Sequence, residues 1–588
     1  MLRFLLAFSL CLLAVSSLTA EERLQIVVEG LEGDVMENVE AALVPPPGLV
    51  REGKVEALWL KRFEQEVPGR VLQAMEPFGY YSPQVETSVE KSEEGSYVMK
   101  VNVAPGLRVR IAEVNLKIQG AGEKEPALNK FVAEFPLRVG DPLLHVKYEE
   151  AKSRFISKCV DLGYLDGAFI IREVKVSKAQ ARAELTLVLE TGHRYYFGGI
   201  TIVGAPEYPE GFLRRYLEFQ AGDVYSHSRI DLTKVNFANS DRFKEITIDA
   251  DKTSARDYFV PVTITLVSSD PKRFRVGAGF QTDYGPTFSS KYQDVNFLFT
   301  GHEFNADLSL SPRLQEFGIG YAWPARSDVL SKTAVSTKVT HERTDSYDTK
   351  YATGLIEYTR NLLGIPVLGH ERVGSGYLQV QGEKYSVGQE DSRTFLLMPG
   401  LRFSDRRYDD LVRPRKGYLV TLELRGTDQA LGSDTAFLQF MGFGNLRIPL
   451  PYRFSLLTRG QFGTTMQEDK FESLPPSVRF FAGGDNSVRG YDYKSLGPKD
   501  DDGDVVGGKH LLVGSIELEK AIGKVFGVAA FYDVGNAFDK VSDMDLQQGA
   551  GVGIRLYAPF GYLRFDLARQ LNVRDPDYRI HFAVGIGL

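Results

Sequence analysis

Cysteine is almost absent from this chain. It has 2 cysteines among 588 residues, and Cys11 lies in a segment that we expect to be removed, which leaves Cys159. A single thiol forms neither a disulfide framework nor a cysteine-based metal site. We therefore expect no bound metal and no cofactor. Cys159 lies on a predicted helix face beside Phe155 and Ile156, which favours a small buried side chain.

Excess positive charge and enzyme motifs are missing as well. The net charge of −7 and the pI near 5.8 give no electrostatic reason to expect a nucleic-acid partner. The common hydrolase, metalloprotease and dinucleotide-binding motifs are absent. Residues 503–509 spell Gly-x-x-x-x-Gly-Lys, but His510 replaces the Ser or Thr of a phosphate-binding loop. We expect a protein that is not an enzyme; a lipase or protease with its nucleophile and base on one rim stays open here.

Long apolar runs are confined to the first twenty residues. Residues 1–20 have the pattern of a secretory signal peptide, with Arg3 before an apolar run and Ala20 at the expected cut. Beyond them the sequence has no run of 18 or more apolar residues, so we expect no transmembrane helix. The pattern predicts an exported protein that can span a membrane only as a β-barrel.

Residues 22–270 contain a weak internal repeat. Strand-like runs begin near residues 24, 110 and 196, and each is followed by helix-like sequence and then by a strand pair. Apolar residues three and four apart predict helices over 54–75 and 146–162. We predict three β-α-α-β-β units, over residues 21–106, 107–192 and 193–270. Such small units leave a sheet edge that can accept a strand from another chain.

Two groups of residues raise the question of a metal site. His145 and His227 recur in register, but they lie in different units and neither has a second His or Cys nearby. A helix-capping or packing role is therefore favoured over metal binding. Asp500, Asp501, Asp502 and Asp504 would suit a divalent cation, yet the Gly and Glu of a calcium loop are missing. A solvated acidic tip is favoured there.

The pattern changes at Lys272. Helical spacing stops, and runs of about ten residues alternate apolar with polar or glycine positions, as in outer-membrane barrels. The sixteen runs start near residues 272, 289, 302, 313, 331, 349, 371, 392, 416, 434, 452, 509, 523, 547, 560 and 578. A soluble β-sandwich also alternates, but its polar face seldom needs so many glycines. We predict a 16-stranded antiparallel transmembrane β-barrel over 271–588.

One long connection is unusually apolar and rich in glycine. Residues 479–498 follow the eleventh predicted strand and contain Phe480, Phe481, Val488 and Arg489. We interpret this segment as a loop that folds back into the barrel and is held by Arg489. The alternative is an unattached extracellular loop with a solvated arginine.

The alternation of side chains along the strands after the loop predicts carboxylate partners for this arginine. In the strands that follow the loop, Asp533 shares the face of Gly527 and Ala529, while Glu517 and Glu519 share the face opposite Ile516. These acids are therefore predicted to point into the lumen, where a confined arginine needs carboxylate partners.

Several motifs resemble those of one family. The tetrapeptide Val488–Tyr491 resembles the sixth-loop motif of the Omp85 superfamily of outer-membrane assembly and translocation pores. The segments 413–418, 531–536, 551–555 and 563–568 are similar to the family's barrel-strand motifs. By the same resemblance the repeats are similar to POTRA domains, and three of them before sixteen strands resemble the TamA branch, the outer-membrane subunits of the translocation and assembly module.

The resemblance implies a location and partners. It implies a barrel in the bacterial outer membrane with its POTRA domains in the periplasm. It implies unfolded outer-membrane proteins, including autotransporters, as clients, contact with outer-membrane lipid, and a TamB-like inner-membrane protein that spans the periplasm. It also implies that Arg489 and Gly490 of the loop anchor on Glu517 and Asp533.

Our mechanistic hypothesis is that this anchor braces the late strands while the seam between the first and last strands opens for a client strand. The residues that we assign to the gate are Phe274, Gln281, Tyr578, Gly585, Gly587 and Leu588. The two glycines weaken the last strand because glycine packs no side chain and loses more entropy. Family members often end in an aromatic residue and this chain ends in Leu588, so we expect less conventional recognition of its own last strand. A two-partner-secretion exporter or a passive pore would share the barrel and is the alternative.

Overall fold

The computed structural model describes residues 24–51, 54–91, 96–325, 329–363, 369–387, 390–410, 414–467, 469–523, 525–558 and 561–587. The predicted signal peptide and Leu588 lie outside these residues. The described chain forms two compact units. One contains the first two repeats and parts of the third, and the other contains the rest of the third repeat and everything from Val262 onward.

The first repeat is a three-stranded sheet with two helices. Its elements are β1 (Leu24–Glu29), α1 (Gly33–Ala42), β2 (Val50–Arg51), β3 (Lys54–Val55), α2 (Ala57–Met75), β4 (Gln84–Lys91) and β5 (Tyr97–Ala104). β5 lies between β1, which is parallel to it, and β4, which is antiparallel. The helix predicted from residue 54 begins at Ala57 instead, because Lys54–Val55 pairs with Val50–Arg51 as a short hairpin.

The second repeat has the same order of sheet strands and helices, without a counterpart of the β2–β3 hairpin among its described elements. They are β6 (Arg110–Gln119), α3 (Pro126–Ala133), α4 (His145–Asp161), β7 (Ala168–Ser177) and β8 (Arg182–Glu190), with the sheet order β6-β8-β7. Gly163 lies just after the C-terminus of α4 and has a φ of +90°. Glycine commonly adopts this left-handed conformation after a helix. Cys159 is fully buried beside Phe155, and this burial raises the pKa of its thiol to about 11.

The third repeat completes the series. Its elements are β9 (Tyr196–Val203), α5 (Glu210–Arg214), α6 (His227–Ala238), β10 (Phe243–Asp249) and β11 (Phe259–Ser268), with the sheet order β10-β11-β9. Here Asp241 takes the left-handed position, with a φ of +56°, where the first two repeats use glycine. Acidic and amide side chains tolerate this region better than most others. The prediction of three β-α-α-β-β units is confirmed.

The remaining strands form a closed antiparallel barrel. They are β12 (Lys272–Gln281), β13 (Gly285–Phe297), β14 (His302–Leu310), β15 (Leu314–Pro324), β16 (Lys332–Arg343), β17 (Tyr347–Asn361), β18 (His370–Val387), β19 (Glu390–Tyr408), β20 (Gly417–Thr427), β21 (Phe437–Leu450), β22 (Phe454–Gln467), β23 (His510–Ile522), β24 (Phe526–Phe538), β25 (Gln547–Ala558), β26 (Gly561–Gln570) and β27 (Tyr578–Gly587). The predicted count of sixteen is confirmed.

The two faces of the barrel wall differ as the alternation predicted. On β24, Phe526, Val528 and Tyr532 are exposed on the outer face, whereas Phe531 and Asp533 are buried on the inner face. Side chains alternate across a strand with a period of two, so one face of each strand meets the interior. Among the described residues, we find no helix with the length and apolar character needed to cross a membrane.

Candidate functional site

The segment between β22 and β23 enters the barrel. Its backbone is closed by bridges between Phe480 and Gly508 and between Ala482 and Leu496. Val488 is fully buried and packs in one cluster with Ala482 and with Val513 of the wall strand β23. We call residues 479–498 the inner loop. Its apolar side chains are used for packing inside the barrel, which fits the interpretation that it folds back from the surface.

Arg489 lies at the centre of a buried network. Its Nε and Nη2 donate to the two carboxylate oxygens of Asp533 at 2.7 and 3.0 Å, and its backbone N–H donates to the same side chain at 3.1 Å. Its Nη1 donates to Glu517 at 2.7 Å and to Asp566 at 3.1 Å. Arg489 is 2% exposed, and Asp533 and Asp566 are fully buried. A two-pronged contact of this kind fixes orientation as well as distance.

A second arginine completes this network. Arg555 of β25 donates to Glu517 through Nη2 at 2.8 Å and also to Asp566. Two cations therefore face the carboxylates of Glu517, Asp533 and Asp566, which lie on β23, β24 and β26. Buried charges are tolerated when each has partners of opposite sign and hydrogen bonds. We call these five residues the brace network, because it joins the inner loop to four consecutive strands.

The structure thus places the predicted partners Glu517 and Asp533 beside Arg489. Arg555 and Asp566 were not predicted as members, although both occur in segments that resemble family motifs. Glu519, also predicted to point inward, receives a 3.0 Å hydrogen bond from Arg447 instead. The function of these residues as a brace stays a prediction.

Glycine and an aromatic ring shape the site around Arg489. A Cβ at Gly549 would collide with the carbonyl oxygen of Arg489, and one at Gly553 would collide with Asp566. The ring of Phe531 lies on the other side, with its centroid 3.4 Å from the guanidinium carbon. Gly490 has a φ of +101°, which side chains rarely adopt. Gly490 and Gly549 let the loop backbone approach the wall, and Gly553 leaves room for the Asp566 carboxylate.

The inner loop has a second attachment on the opposite part of the wall. Lys494 donates to Glu342 of β16 at 2.8 Å, and the hydroxyl of Tyr493 donates to the same carboxylate at 3.0 Å. Tyr347 of β17 also donates to Glu342, at 2.9 Å. Glu342 is 7% exposed. The loop is therefore attached to β16 and β17 as well as to the brace network, and the attachment through Lys494 was not predicted.

The barrel closes where β12 meets β27. The described residues of these strands form five pairs, from Gly277–Gly587 to Gln281–Ala583. Every other pair of neighbouring barrel strands has between eight and eighteen such pairs. At one end of the seam, the N–H of Thr282 donates to the carbonyl of Phe582 at 3.0 Å. The seam is the shortest ladder of the described barrel.

The residues assigned to the gate have different positions along this seam. Gly585 lies opposite Gly279, and Gly587 opposite Gly277, so two of the five pairs are glycine against glycine. Gln281 pairs with Ala583.

The two aromatic residues of the gate lie outside this ladder. Phe274 is 66% exposed, and its position pairs with Tyr292 of β13. Tyr578 is 64% exposed and pairs with Arg569 of β26. Leu588 lies outside the described residues. Phe274 and Tyr578 therefore flank the seam without pairing across it in the described part.

A cavity of about 490 Å³ is lined by residues of both the brace network and the seam. Its lining includes Glu517 and Arg489 of the brace network, and Gln281 of β12 and Ala583 of β27. The Gln281–Ala583 pair of the seam therefore borders the same cavity as the brace network.

The other residues considered for metal binding have separate positions. The hydroxyl of Tyr81 lies 2.6 Å from Nε2 of His145, the first residue of α4, and His227 is the first residue of α6. Asp500 accepts hydrogen bonds from the backbone N–H groups of Asp502 and Asp504 in an exposed turn. The recurring histidines thus occupy equivalent helix starts.

Comparisons with known proteins agree with this architecture. The family model of the Omp85 superfamily domain matches residues 296–588. A model described as POTRA domain, TamA domain 1, matches residues 25–105, and a POTRA model described as surface antigen variable number repeat matches residues 195–268.

Two curated relatives are both described as outer membrane protein assembly factor BamA. The protein from Nitratidesulfovibrio vulgaris (strain Hildenborough) is 20% identical over 72% of this chain and 55% of the relative. The protein from Neisseria meningitidis serogroup B is 20% identical over 90% of this chain and 74% of the relative. The chain thus spans little more than half the length of the first relative.

Solved structures show the same fold. BamA from Haemophilus ducreyi lacking POTRA domains 1–3 aligns with a TM-score of 0.62 at 16% identity, covering 82% of this chain and all of that one. CdiB from Acinetobacter baumannii aligns with a TM-score of 0.51 at 14% identity, covering 95% of this chain and all of that one. These alignments show the shared fold. The match of residues 296–588 to the Omp85 superfamily domain, together with the two POTRA matches, shows that the chain belongs to the Omp85 superfamily.

Proposed function

We propose that this chain inserts proteins into the bacterial outer membrane by strand templating at the seam. An unfolded β-barrel or autotransporter client pairs its strand with the edge of β12 or β27 once the seam has opened. The observation that carries this proposal is the contrast between a five-pair seam rich in glycine and the neighbouring late wall, which is held by the brace network.

The energetics favour opening at this place. Separating β12 from β27 breaks fewer backbone hydrogen bonds than separating any other neighbouring pair of described strands. The exposed N–H and C=O groups are costly in lipid, at several kcal/mol for each unsatisfied group. An incoming strand satisfies them, so insertion needs neither a nucleotide nor covalent chemistry.

The POTRA domains support delivery from the periplasm. In the first repeat β4 pairs with β5 alone among the described strands, so its other edge is free to pair. The position at a sheet edge suits binding of an extended client segment by strand addition. We place these domains in the periplasm and the barrel in the outer membrane, in contact with its lipid.

A TamB-like inner-membrane protein is the proposed partner. The match of residues 25–105 to the first POTRA domain of TamA supports this choice. Leu58 is 81% exposed and Trp59 is 40% exposed at the start of α2 in this domain. A photocrosslinking amino acid at Leu58 should capture an inner-membrane protein in cells, and the same group at Val139, which is 65% exposed in the second repeat, should not. Absence of an adduct at Leu58 would remove this partner from the proposal.

A disulfide across the seam tests the templating mechanism. Gln281 and Ala583 lie opposite each other on β12 and β27, and the cysteine present in the described chain, Cys159, is buried. The double variant Gln281→Cys/Ala583→Cys should lose client insertion when oxidised and regain it when reduced. Insertion should be measured in proteoliposomes with a radiolabelled outer-membrane protein.

The control is a cysteine pair inside the continuous wall. Ser336 and Leu355 lie opposite each other on β16 and β17, and their oxidation should leave insertion unchanged. Undiminished insertion by the oxidised seam variant would reject templating. Large steady currents in planar bilayers would then favour an exporter or a passive pore.

A further inference from the structure

Three buried polar residues meet where the inner loop touches both strands of the seam. Asp283 follows β12, Asp485 belongs to the inner loop, and His581 lies on β27. They are 3%, 1% and 0% exposed. One carboxylate oxygen from each aspartate and one ring nitrogen lie within 4.8 Å of one another. This cluster joins the two sides of the seam through the loop and shares no residue with the brace network.

Hydrogen bonds fix the protonation of the histidine. The backbone N–H of Gly490 donates to Nε2 of His581 at 2.8 Å, so Nε2 is an acceptor and carries no proton. The proton of the neutral ring is therefore on Nδ1, which donates to Oδ1 of Asp485 at 2.5 Å. The backbone N–H of Asp485 in turn donates to Oδ2 of Asp283 at 2.7 Å.

Two oxygens of this cluster stay unsatisfied. Among the described residues, Oδ1 of Asp283 and Oδ2 of Asp485 are buried without a hydrogen-bond partner. Two buried carboxylates with unpaired oxygens are unfavourable, whereas a single proton turns one oxygen into a donor and the other into its acceptor. We propose that Asp283 is protonated in the closed barrel and donates to Asp485, forming a proton latch between β12, the inner loop and β27.

A divalent metal ion fits this cluster less well. A metal bound to Nδ1 of His581 would require the proton to move to Nε2, where it would face the N–H of Gly490. Metal-bound histidines normally donate from their other nitrogen to an acceptor. The tautomer that Gly490 imposes therefore favours a proton.

The charged groups around Asp283 do not neutralise its carboxylate. In the described structure, Arg564 of β26 donates to the backbone carbonyl of Asp485 at 3.3 Å, and Arg313 donates to the backbone carbonyl of Asp283 at 3.4 Å. Arg579 of β27 pairs with Asp492. Burial, followed by the nearby charge of Asp485, raises the pKa of Asp283 to about 7.

The latch makes opening of the seam depend on pH. This dependence rests on the proposed function, in which β12 and β27 separate. In an open seam Asp283 would meet water and titrate near its ordinary pKa of about 4. Between about pH 4 and pH 7 the closed state holds a proton that the open state has lost. The ratio of closed to open forms should then fall by up to about tenfold per pH unit as the pH rises, and the advantage is gone above about pH 7.

Amide hydrogen exchange on the purified full chain in lipid nanodiscs tests the latch without any client. After correction for the intrinsic rates, exchange in peptides from β12 and β27 should rise with pH by up to about tenfold per unit between pH 5 and pH 7. Asp283→Asn should abolish this slope, because its amide nitrogen donates to Asp485 at every pH. Asp501→Asn is the control, since Asp501 is an exposed acid in the turn that contains Asp500 and Asp504.

Infrared spectroscopy of the unmodified protein provides a second readout. A protonated carboxyl band should vanish through about pH 7 and be absent from Asp283→Asn. An unchanged exchange slope in Asp283→Asn, or no such band in the unmodified protein, would overturn the latch. A response of exchange to zinc or EDTA at constant pH would overturn it in favour of a metal ion. A failure of client insertion alone would affect none of these measurements.

Discussion

The seam and the late wall are neighbouring parts of one sheet that are held together in different ways. The seam between β12 and β27 has five pairs, two of them between glycines. The late wall has 13 pairs between β23 and β24 and 10 between β24 and β25. It also contains the brace network, whose arginines contact acids on three strands. The side chains that support the short seam ladder are Thr282 and the cluster of Asp283, Asp485 and His581. The late wall has longer ladders and a network of five charged side chains.

This difference bears on which strand would move in the proposed opening of the barrel. β27 has nine pairs with β26 and five with β12, so separation at the β12 side breaks fewer hydrogen bonds. β26 is tied to the inner loop through Asp566. If the barrel opens as proposed, the last strand should stay with the braced late wall, and the open seam should present the edge of β27 opposite the edge of β12.

The largest effect is expected from removing Arg489, the central cation of the brace network, because the late wall would then lose the support that distinguishes it from the seam. Arg489→Ala leaves Asp533 without its charged partner, and the loss of one partner from a buried pair costs roughly 3–5 kcal/mol. We expect a lower unfolding midpoint in detergent and reduced client insertion. Arg489→Lys should be intermediate, because an ammonium lacks the two-pronged geometry.

The matched control is Arg574→Ala, since Arg574 is an exposed arginine between β26 and β27. It should leave both measurements unchanged. Normal stability and normal insertion for Arg489→Ala would mean that the late wall needs no brace.

Much of the fold was predictable because the barrel repeats one simple pattern. Alternation with a period of two, broken by turn residues, placed all sixteen strands in order. The start of β13 was the least accurate, whereas the starts of the long strands β18 and β19 were predicted to within two residues and only their lengths exceed the expectation. β13 was predicted to start near residue 289 and begins at Gly285, after a three-residue connection. β18 and β19 have 18 and 19 residues, beyond the roughly 9–11 needed to cross a bilayer.

The site was only partly predictable. The alternation of side chains along a strand shows which residues face the barrel interior, but it does not show which strands the inner loop contacts. It placed Glu517, Glu519 and Asp533 inward, yet it could not separate Glu519, which pairs with Arg447, from Glu517. Asp566 faces the same network from β26, and its contact depends on the tilt of the strands. The attachment of Lys494 joins positions about 150 residues apart, which no local pattern indicates.

The substitution Gly549→Ala on β25 should weaken the contact between Arg489 and the barrel wall. The Cβ of Gly549→Ala would collide with the carbonyl of Arg489, so the loop has to shift. Overpacking of this kind costs about 1–3 kcal/mol, which thermal unfolding would detect. Gly354→Ala is the control, because nothing lies within 4 Å of a Cβ built at that position. Equal stability of the two variants would contradict the close approach.

The second attachment should matter less than the brace network. Lys494→Met removes one charged hydrogen bond from Glu342, but the hydroxyls of Tyr347 and Tyr493 still donate to this carboxylate. We expect a loss of about 1–2 kcal/mol and faster proteolysis of the inner loop. Lys350→Met, at an exposed position of β17, should change neither. A loss as large as that of Arg489→Ala would mean that the loop depends on both sides of the wall equally.

The smallest expected effect lies in the seam itself. Gly585→Ala reduces the backbone entropy that β27 loses on pairing, which favours the paired strand by roughly 0.5–1 kcal/mol. Its Cβ would lie 3.1 Å from the ring of Tyr562, which is 48% exposed and free to tilt outward. Hydrogen exchange in β27 should slow by a few fold, and client insertion should slow with it. The same substitution at Gly514 in β23, where a Cβ has ordinary contacts, should leave exchange in β27 and insertion unchanged. If Gly585→Ala slows exchange while insertion keeps its rate, breathing of the last strand does not limit insertion, and β12 is the strand whose release sets the rate.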